Sequence, residues 1–321
     1  MVELNNITKL YGKKAAAKNV TFSVKKGEIV GFLGPNGAGK TTTMNILTGY
    51  LSATSGTAKI DGIDILDNPI SAKKKIGFLP ENPPLYLDMT VNEYLSFVYE
   101  LKECKLPKKK HLDDICAVVG ITDVFNRVIK NLSKGYKQRV GIAQALVGNP
   151  PVLIFDEPTV GLDPKQIIDI RNLIKGLGKN HTIILSSHIL PEVQAVCDRI
   201  VIINKGEIVA NEKAENISQI VSNRFKVIAK ICGPEEVVLR AVRALPDVTY
   251  AEVLNDASSD DSVSYLIQSS ASVDIRKPLF YLLCEKSWPL VGLESAGASL
   301  EDIFINLIDN PKNSKKEVKK Q

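Results

Sequence analysis

Residues 34–41 read GPNGAGKT, a G-x-x-x-x-G-K-[ST] spacing whose chemistry is the grip on a phosphate chain. Glycines 34, 37 and 39 let backbone N–H groups turn inward without a clashing Cβ, and a helix starting here adds the positive end of its dipole. Lys40 reaches for the β- and γ-phosphates, and the Thr41 hydroxyl for Mg²⁺. A second set of reactive groups ends the segment VLIFDEP, residues 152–158. Its apolar residues 152–155 predict a buried strand that delivers Asp156 to the phosphates, where it holds the metal directly or through water. Glu157 follows, aimed at an attacking water. Two carboxylates at the tip of an apolar strand are costly to bury without a cation, so a solvated strand end is the weaker alternative.

The elements that must position these groups are readable around them. The strand EIVGFLG runs into the glycine-rich loop, and a helix over residues 40–50 follows. The runs KIGFLP, PVLIFDEP, HTIILSSH and DRIVIINKGEIVA are short, apolar, and bounded by Gly, Pro, Asn or Asp. Buried parallel strands have this texture because helices cover both faces of their sheet. Strands and helical patterns alternate to about residue 210, the rhythm of an α/β domain, with a helical subdomain at about residues 82–150 on one side of the sheet. Beyond Ala214 the order becomes strand, helix, strand, strand, helix, strand, which predicts a small α+β domain of ferredoxin-like split βαβ type over residues 216–310. The segment SLEDIFINLID carries an apolar stripe at helical spacing, expected to dock on the rest of the protein.

Composition narrows the classes. A chain of 321 residues with 44% hydrophobic and 24% charged residues suggests two globular domains. No apolar run approaches the ~20 residues of a membrane helix, and the first residues lack the apolar core of a signal peptide, so a cytosolic chain is expected. The five cysteines are scattered without a CxxC pair and read as small buried or half-buried hydrophobes. The net charge of +5 lies mostly in residues 312–321, KNSKKEVKKQ, with five lysines against one glutamate. No basic groove for nucleic acid is implied. The tail, residues 311–321, reads as a disordered end, with weak attraction to anionic lipid as the sharper alternative. The lysine runs 73–75 and 108–110 read as exposed faces.

With GPNGAGKT, LSKGYKQR, LIFDEPTVGLDP and His188 in this order, residues 1–215 resemble the nucleotide-binding subunit of ATP-binding-cassette (ABC) transporters, an α/β P-loop NTPase fold. The resemblance implies ATP and Mg²⁺ as ligands and assigns roles by position. Tyr11 stacks on adenine. Gly34, Asn36, Gly37, Ala38, Gly39, Lys40, Thr41 and Thr42 form the phosphate loop. Asp156 binds Mg²⁺, Glu157 is the catalytic carboxylate, Asp163 communicates across a dimer, and His188 contacts the γ-phosphate. A single histidine alone is more often structural, but its place at a strand end after the carboxylate pair reverses that reading. Ser133 and Gly135 belong to the signature that closes on the nucleotide of a second copy.

Two positions depart from the family pattern. Glu81 stands where glutamine is usual, at the metal, so an altered metal dependence is expected. Lys134 and Tyr136 replace a glycine and a glutamine of the signature. Lys134 either adds positive charge near the γ-phosphate or points into solvent.

The proline-rich stretch PENPPLYLDMTVNEYL and the C-terminal extension are similar to exporters of the ABC-2 type. Pro83, Pro84, Leu85, Tyr86, Leu87 and Met89 are then expected to receive a permease helix, the alternative being core packing. The expected protein is an ATPase working as a homodimer of cassettes, peripheral on the cytoplasmic side of the membrane through ABC-2 permease subunits. The competing readings are a binding-only cassette or regulatory switch, a soluble cassette acting on ribosomes or DNA, and a C-terminal domain that senses a small molecule.

Overall fold

The computed structural model describes residues 1–217, 226–254, 262–270 and 273–295. The chain divides into two compact units, Met1–Ala214 and Glu215–Gln321.

The first unit contains two sheets. β1 (Val2–Tyr11) and β2 (Lys14–Val24) pair antiparallel, and β4 (Ser55–Ile60) and β5 (Ile63–Asp64) extend that sheet in the order β2-β1-β4-β5. The second sheet holds β3 (Ile29–Leu33), β6 (Ile76–Leu79), β7 (Val152–Asp156), β8 (Thr182–Ser187), β9 (Arg199–Asn204) and β10 (Glu207–Lys213), in the order β10-β9-β3-β8-β7-β6. Its pairings are parallel except β9 with β10. Every residue of β3, β7 and β8 is buried, as a strand covered on both faces requires.

The run DRIVIINKGEIVA is two strands rather than one. Lys205 and Gly206, with φ of 48° and 83°, turn the chain into a hairpin. Between the two sheets, Val2, Phe22, Phe32, Met44, Ile60, Ile154 and Val201 form one core. The Phe22 and Phe32 rings stand 5.4 Å apart within it.

Seven helices complete this unit: α1 (Lys40–Leu47), α2 (Pro69–Lys74), α3 (Val91–Leu101), α4 (Lys108–Val119), α5 (Lys134–Leu146), α6 (Pro164–Leu177) and α7 (Leu190–Gln194). The α1 helix ends three residues short of the sequence expectation, because Gly49 takes a left-handed φ of 65°. Thr90 and Glu93 close a reciprocal capping box at the start of α3.

The C-terminal end of α5 is held twice. Gly77 in β6 leaves room for the helix backbone, since a Cβ there would stand 2.2 Å from the Ala145 carbonyl oxygen. The Lys102 ammonium donates to the carbonyls of Gln144, Ala145 and Val147 and so caps the helix. Burial pushes this ammonium down to about 8.

The second unit contains β11 (Lys226–Cys232), α8 (Glu235–Arg243), β12 (Val248–Leu254), β13 (Ser262–Ser269), α9 (Arg276–Lys286) and β14 (Leu290–Ser295). Its sheet runs β12-β13-β11-β14 with all neighbours antiparallel. The inward sides of β11 and β13, with Ala229, Ile231, Tyr265 and Ile267, pack against Val238, Val242, Leu279 and Leu283 of the two helices. Glu235 and Glu236 in the first turn of α8, and Arg240 and Arg243 in its last, complement the helix dipole. The segment SLEDIFINLID and the lysine-rich tail lie outside the described residues. No helix among the described residues is long and apolar enough to cross a membrane.

Candidate nucleotide-binding site

The glycine-rich loop joins the end of β3 to the start of α1, and its glycines are required for different reasons. A Cβ at Gly34 would stand 2.4 Å from the Ile203 carbonyl oxygen, and one at Gly39 2.2 Å from that of Ala16. Those two positions let the loop lie against β9 and β2. Gly37, at φ 78°, meets nothing within 4 Å and opens onto a cleft.

The cleft has a volume of about 690 Å³ and is lined by Tyr11, Asn36, Gly37, Gly39, Lys40, Thr41, Thr42, Glu81, Glu157 and His188. Lys14 and Lys205 also line it, two cations that the sequence reading does not single out. An anion entering this space meets three ammonium groups and a helix N-terminus.

Lys40 is buried, and its ammonium donates to the carbonyls of Gly34 and Pro35 at 2.8 and 3.3 Å. It also stands 3.3 Å from Glu157 Oε1. The other carboxylate oxygen of Glu157 lies 3.0 Å from His188 Nδ1. An ionised carboxylate only accepts, so Nδ1 is the ring nitrogen that donates to it.

Glu157 itself occupies the left-handed region, with φ 50°. That conformation costs a side-chain-bearing residue about 1–2 kcal/mol. It is held by the Glu157 N–H, which donates to both Oγ and the carbonyl of Ser186 at 3.0 and 3.2 Å. The Ser186 hydroxyl in turn donates to Asp156 Oδ1. A single serine thereby holds the Asp156 carboxylate and the backbone of Glu157, and only its place just before Ser187 and His188 hints at this in the sequence. Asp156 is 1% exposed, and burial raises its carboxyl above the usual range against the pull of hydrogen bonds to Ser186 and Thr41. Among the described residues no cluster of three or more His, Cys, Asp or Glu could hold a metal ion by itself.

The signature residues lie elsewhere. Ser133 is the N-cap of α5 and accepts from the Tyr136 N–H at 3.4 Å; neither it nor Gly135 lines the cleft. Gly135 is buried where a Cβ would stand 2.6 Å from Gln166 Oε1, so the start of α5 packs directly on α6. Asp163 caps α6 by accepting from the Gln166 N–H at 2.9 Å. The exposed Lys134 reaches neither the cleft nor bulk solvent alone: its ammonium overlies Gly161, where a Cβ would stand 2.0 Å from Nζ. Tyr136 is turned aside, its hydroxyl donating to Asp123 Oδ2 at 2.8 Å. Of the proline-rich stretch, Tyr86 and Leu87 are exposed and Pro83 packs toward Gly141 of α5. The Tyr86 ring lies 6.1 Å from Tyr94 and 5.5 Å from Phe97.

Known proteins are similar to this chain in sequence and fold. The family described as ABC transporter matches residues 17–160. The linearmycin resistance ATP-binding protein LnrL of Bacillus subtilis is 34% identical, over 96% of this chain and 98% of its own. The bacitracin transport ATP-binding protein BcrA of Bacillus licheniformis is 32% identical, over 96% and 97%. Among solved structures, the dimeric post-hydrolysis state of the ATP-binding cassette MJ0796 bound to ADP and Pi is 31% identical. It superposes with a TM-score of 0.61 over 67% of this chain and 99% of that one. The two relatives align through both units, and the solved cassette accounts for about the first, so the chain belongs to the ATP-binding subunits of ABC transporters.

Proposed function

We propose that this chain binds and hydrolyses ATP as the motor subunit of an exporter, closing on a second copy of itself to drive separate membrane subunits. The observation that carries the reading is Glu157, at the tip of a buried strand, 3.3 Å from the Lys40 ammonium and 3.0 Å from His188 Nδ1. In this reading Lys40 turns from Glu157 to the β- and γ-phosphate oxygens, which frees a carboxylate to take a proton from water. His188 orients that carboxylate through Nδ1–H and faces the γ-phosphate. Tyr11, exposed at the edge of the cleft, stacks on adenine. Asn36, Gly37, Ala38, Gly39 and Thr42 cradle the phosphates.

The donor set fits Mg²⁺: a hydroxyl at Thr41 bonded to the carboxylate of a buried Asp156. Thr41 and Asp156 would hold the ion, which would supply neutralising charge to the phosphates. Glu81, exposed on the same cleft, adds a carboxylate within this set. Glu81→Gln is expected to shift the Mg²⁺ concentration for half-maximal hydrolysis about two- to tenfold. Superimposable metal titrations would remove Glu81 from the set.

Ser133 and Gly135 act on the nucleotide of the other copy. Their absence from the lining of their own cleft supports this, as does the dimeric state named for the solved cassette. The strand order and the β-α-β-β-α-β sequence support reading residues 216–310 as a ferredoxin-like accessory domain. Exposed Tyr86 and Leu87, with Phe97 behind them, support a permease of ABC-2 type as partner, and the names of the bacitracin and linearmycin relatives support export. The protein would then sit peripherally on the cytoplasmic side of the membrane. The test is Mg·ATP hydrolysis by the purified chain alone and with the membrane protein that co-purifies with it. Hydrolysis absent under both conditions overturns the motor reading in favour of a nucleotide-dependent switch.

A further inference from the structure

A buried acidic group behind the cleft has no part in the chemistry above. Glu192, in the first turn of α7, is 4% exposed. One carboxylate oxygen accepts a short hydrogen bond of 2.5 Å from the Thr159 hydroxyl, itself 6% exposed. The other oxygen lies 3.4 Å from an Arg171 terminal nitrogen on α6. The Nε of Arg171 is buried without an acceptor, and Glu192 is the carboxylate beside this guanidinium.

A buried carboxylate with one long-range cation partner is a poor source of stability, since desolvation offsets most of the attraction. Its position gives it another use. Thr159 stands two residues after Glu157, Glu192 four residues after His188, and Arg171 on the helix that Asp163 caps. Side chains join the three segments here, 33 residues apart for the hydrogen bond and 21 for the ion pair.

We propose that Glu192 is a positioning residue for ATP hydrolysis. Its carboxylate clamps the segment from Glu157 to Asp163 against the helix that follows His188, so the carboxylate, the histidine and the dimer-facing aspartate move as one body. A short charge-assisted bond between buried partners suits this role because it fixes direction as well as distance. Gly31, where a Cβ would stand 1.9 Å from Val193 Cγ1, seats α7 directly on β3. The clamp therefore works against a fixed base.

The inference rests on Glu157 and His188 being the hydrolytic pair, and the experiment separates the two. Steady-state ATP hydrolysis and nucleotide affinity are measured on the full chain for Thr159→Val, Thr159→Ser, Glu192→Gln and Glu157→Gln. Thr159→Val keeps the side-chain volume and is expected to lower kcat about tenfold, with the dissociation constant for ATP within about twofold of the parent. Thr159→Ser, which restores the hydroxyl, is expected to recover most of the lost kcat. Glu192→Gln keeps an acceptor for Thr159 but loses the charge facing Arg171, and should fall between them. An unchanged kcat in Thr159→Val, or a loss that Thr159→Ser does not recover, overturns the clamp. A Glu157→Gln variant that hydrolyses normally overturns the hydrolytic pair instead, whatever the threonine variants do.

Discussion

Glu157→Gln is expected to lower steady-state ATP hydrolysis by about 100-fold or more while nucleotide binding is retained. A positioned general base contributes roughly 10²–10⁴ to a rate, and the amide cannot take the proton. Glutamine has the same length, and the backbone N–H that bonds Ser186 is untouched, so the strained turn at position 157 survives. Binding should hold or strengthen, because Lys40 loses a carboxylate at 3.3 Å that competes with phosphate for its ammonium. With turnover stopped, ATP should trap the closed pair of cassettes, and sedimentation or light scattering with Mg·ATP reads the dimer directly. Hydrolysis at the parent rate would remove Glu157 as the base.

Lys40→Ala is expected to weaken nucleotide affinity about 100-fold, equivalent to about 2.8 kcal/mol, the size of one or two charge-assisted hydrogen bonds to phosphate. Titration with a fluorescent ATP analogue measures it. The same substitution leaves the buried Glu157 without its cation, and breaking a buried ion pair by truncating one member destabilises by about 3–5 kcal/mol. Melting is therefore followed alongside, and affinity is compared at a temperature where the variant is folded. An affinity within about threefold of the parent would show that the phosphate contacts come from backbone and helix dipole alone.

The parts of this molecule that are legible in its sequence share one property: they are local. The strand, glycine loop and helix around Lys40 are contiguous, and the apolar residues 152–155 announce a strand covered on both faces. The antiparallel sheet of β1, β2, β4 and β5 escapes the reading, because register shifts at residues 4–10 break the strict alternation that marks a half-buried strand. The split of β9 and β10 escapes it too, since a two-residue turn of Lys205 and Gly206 hides inside an apolar run.

At the site, the residues read from motifs gather in one cleft, and what sequence does not give is what holds them. Ser186 bonds the Asp156 carboxylate and the Glu157 backbone N–H from 30 and 29 residues away, and serine carries no signal of that duty. The Lys134 side chain is a similar case. Its flexible stem has many rotamers in the unfolded chain, and packing beside Gly161 selects one of them.

The double anchor at the base of α5 turns that helix into a strut. Gly77 and Lys102 hold its C-terminal end, while Ser133 and Gly135 stand at the other end, 13 residues and about 20 Å away at 1.5 Å per residue. The anchored end lies on β6, beside β7 and its two carboxylates, so one helix ties the signature residues to the sheet that carries the hydrolytic strand.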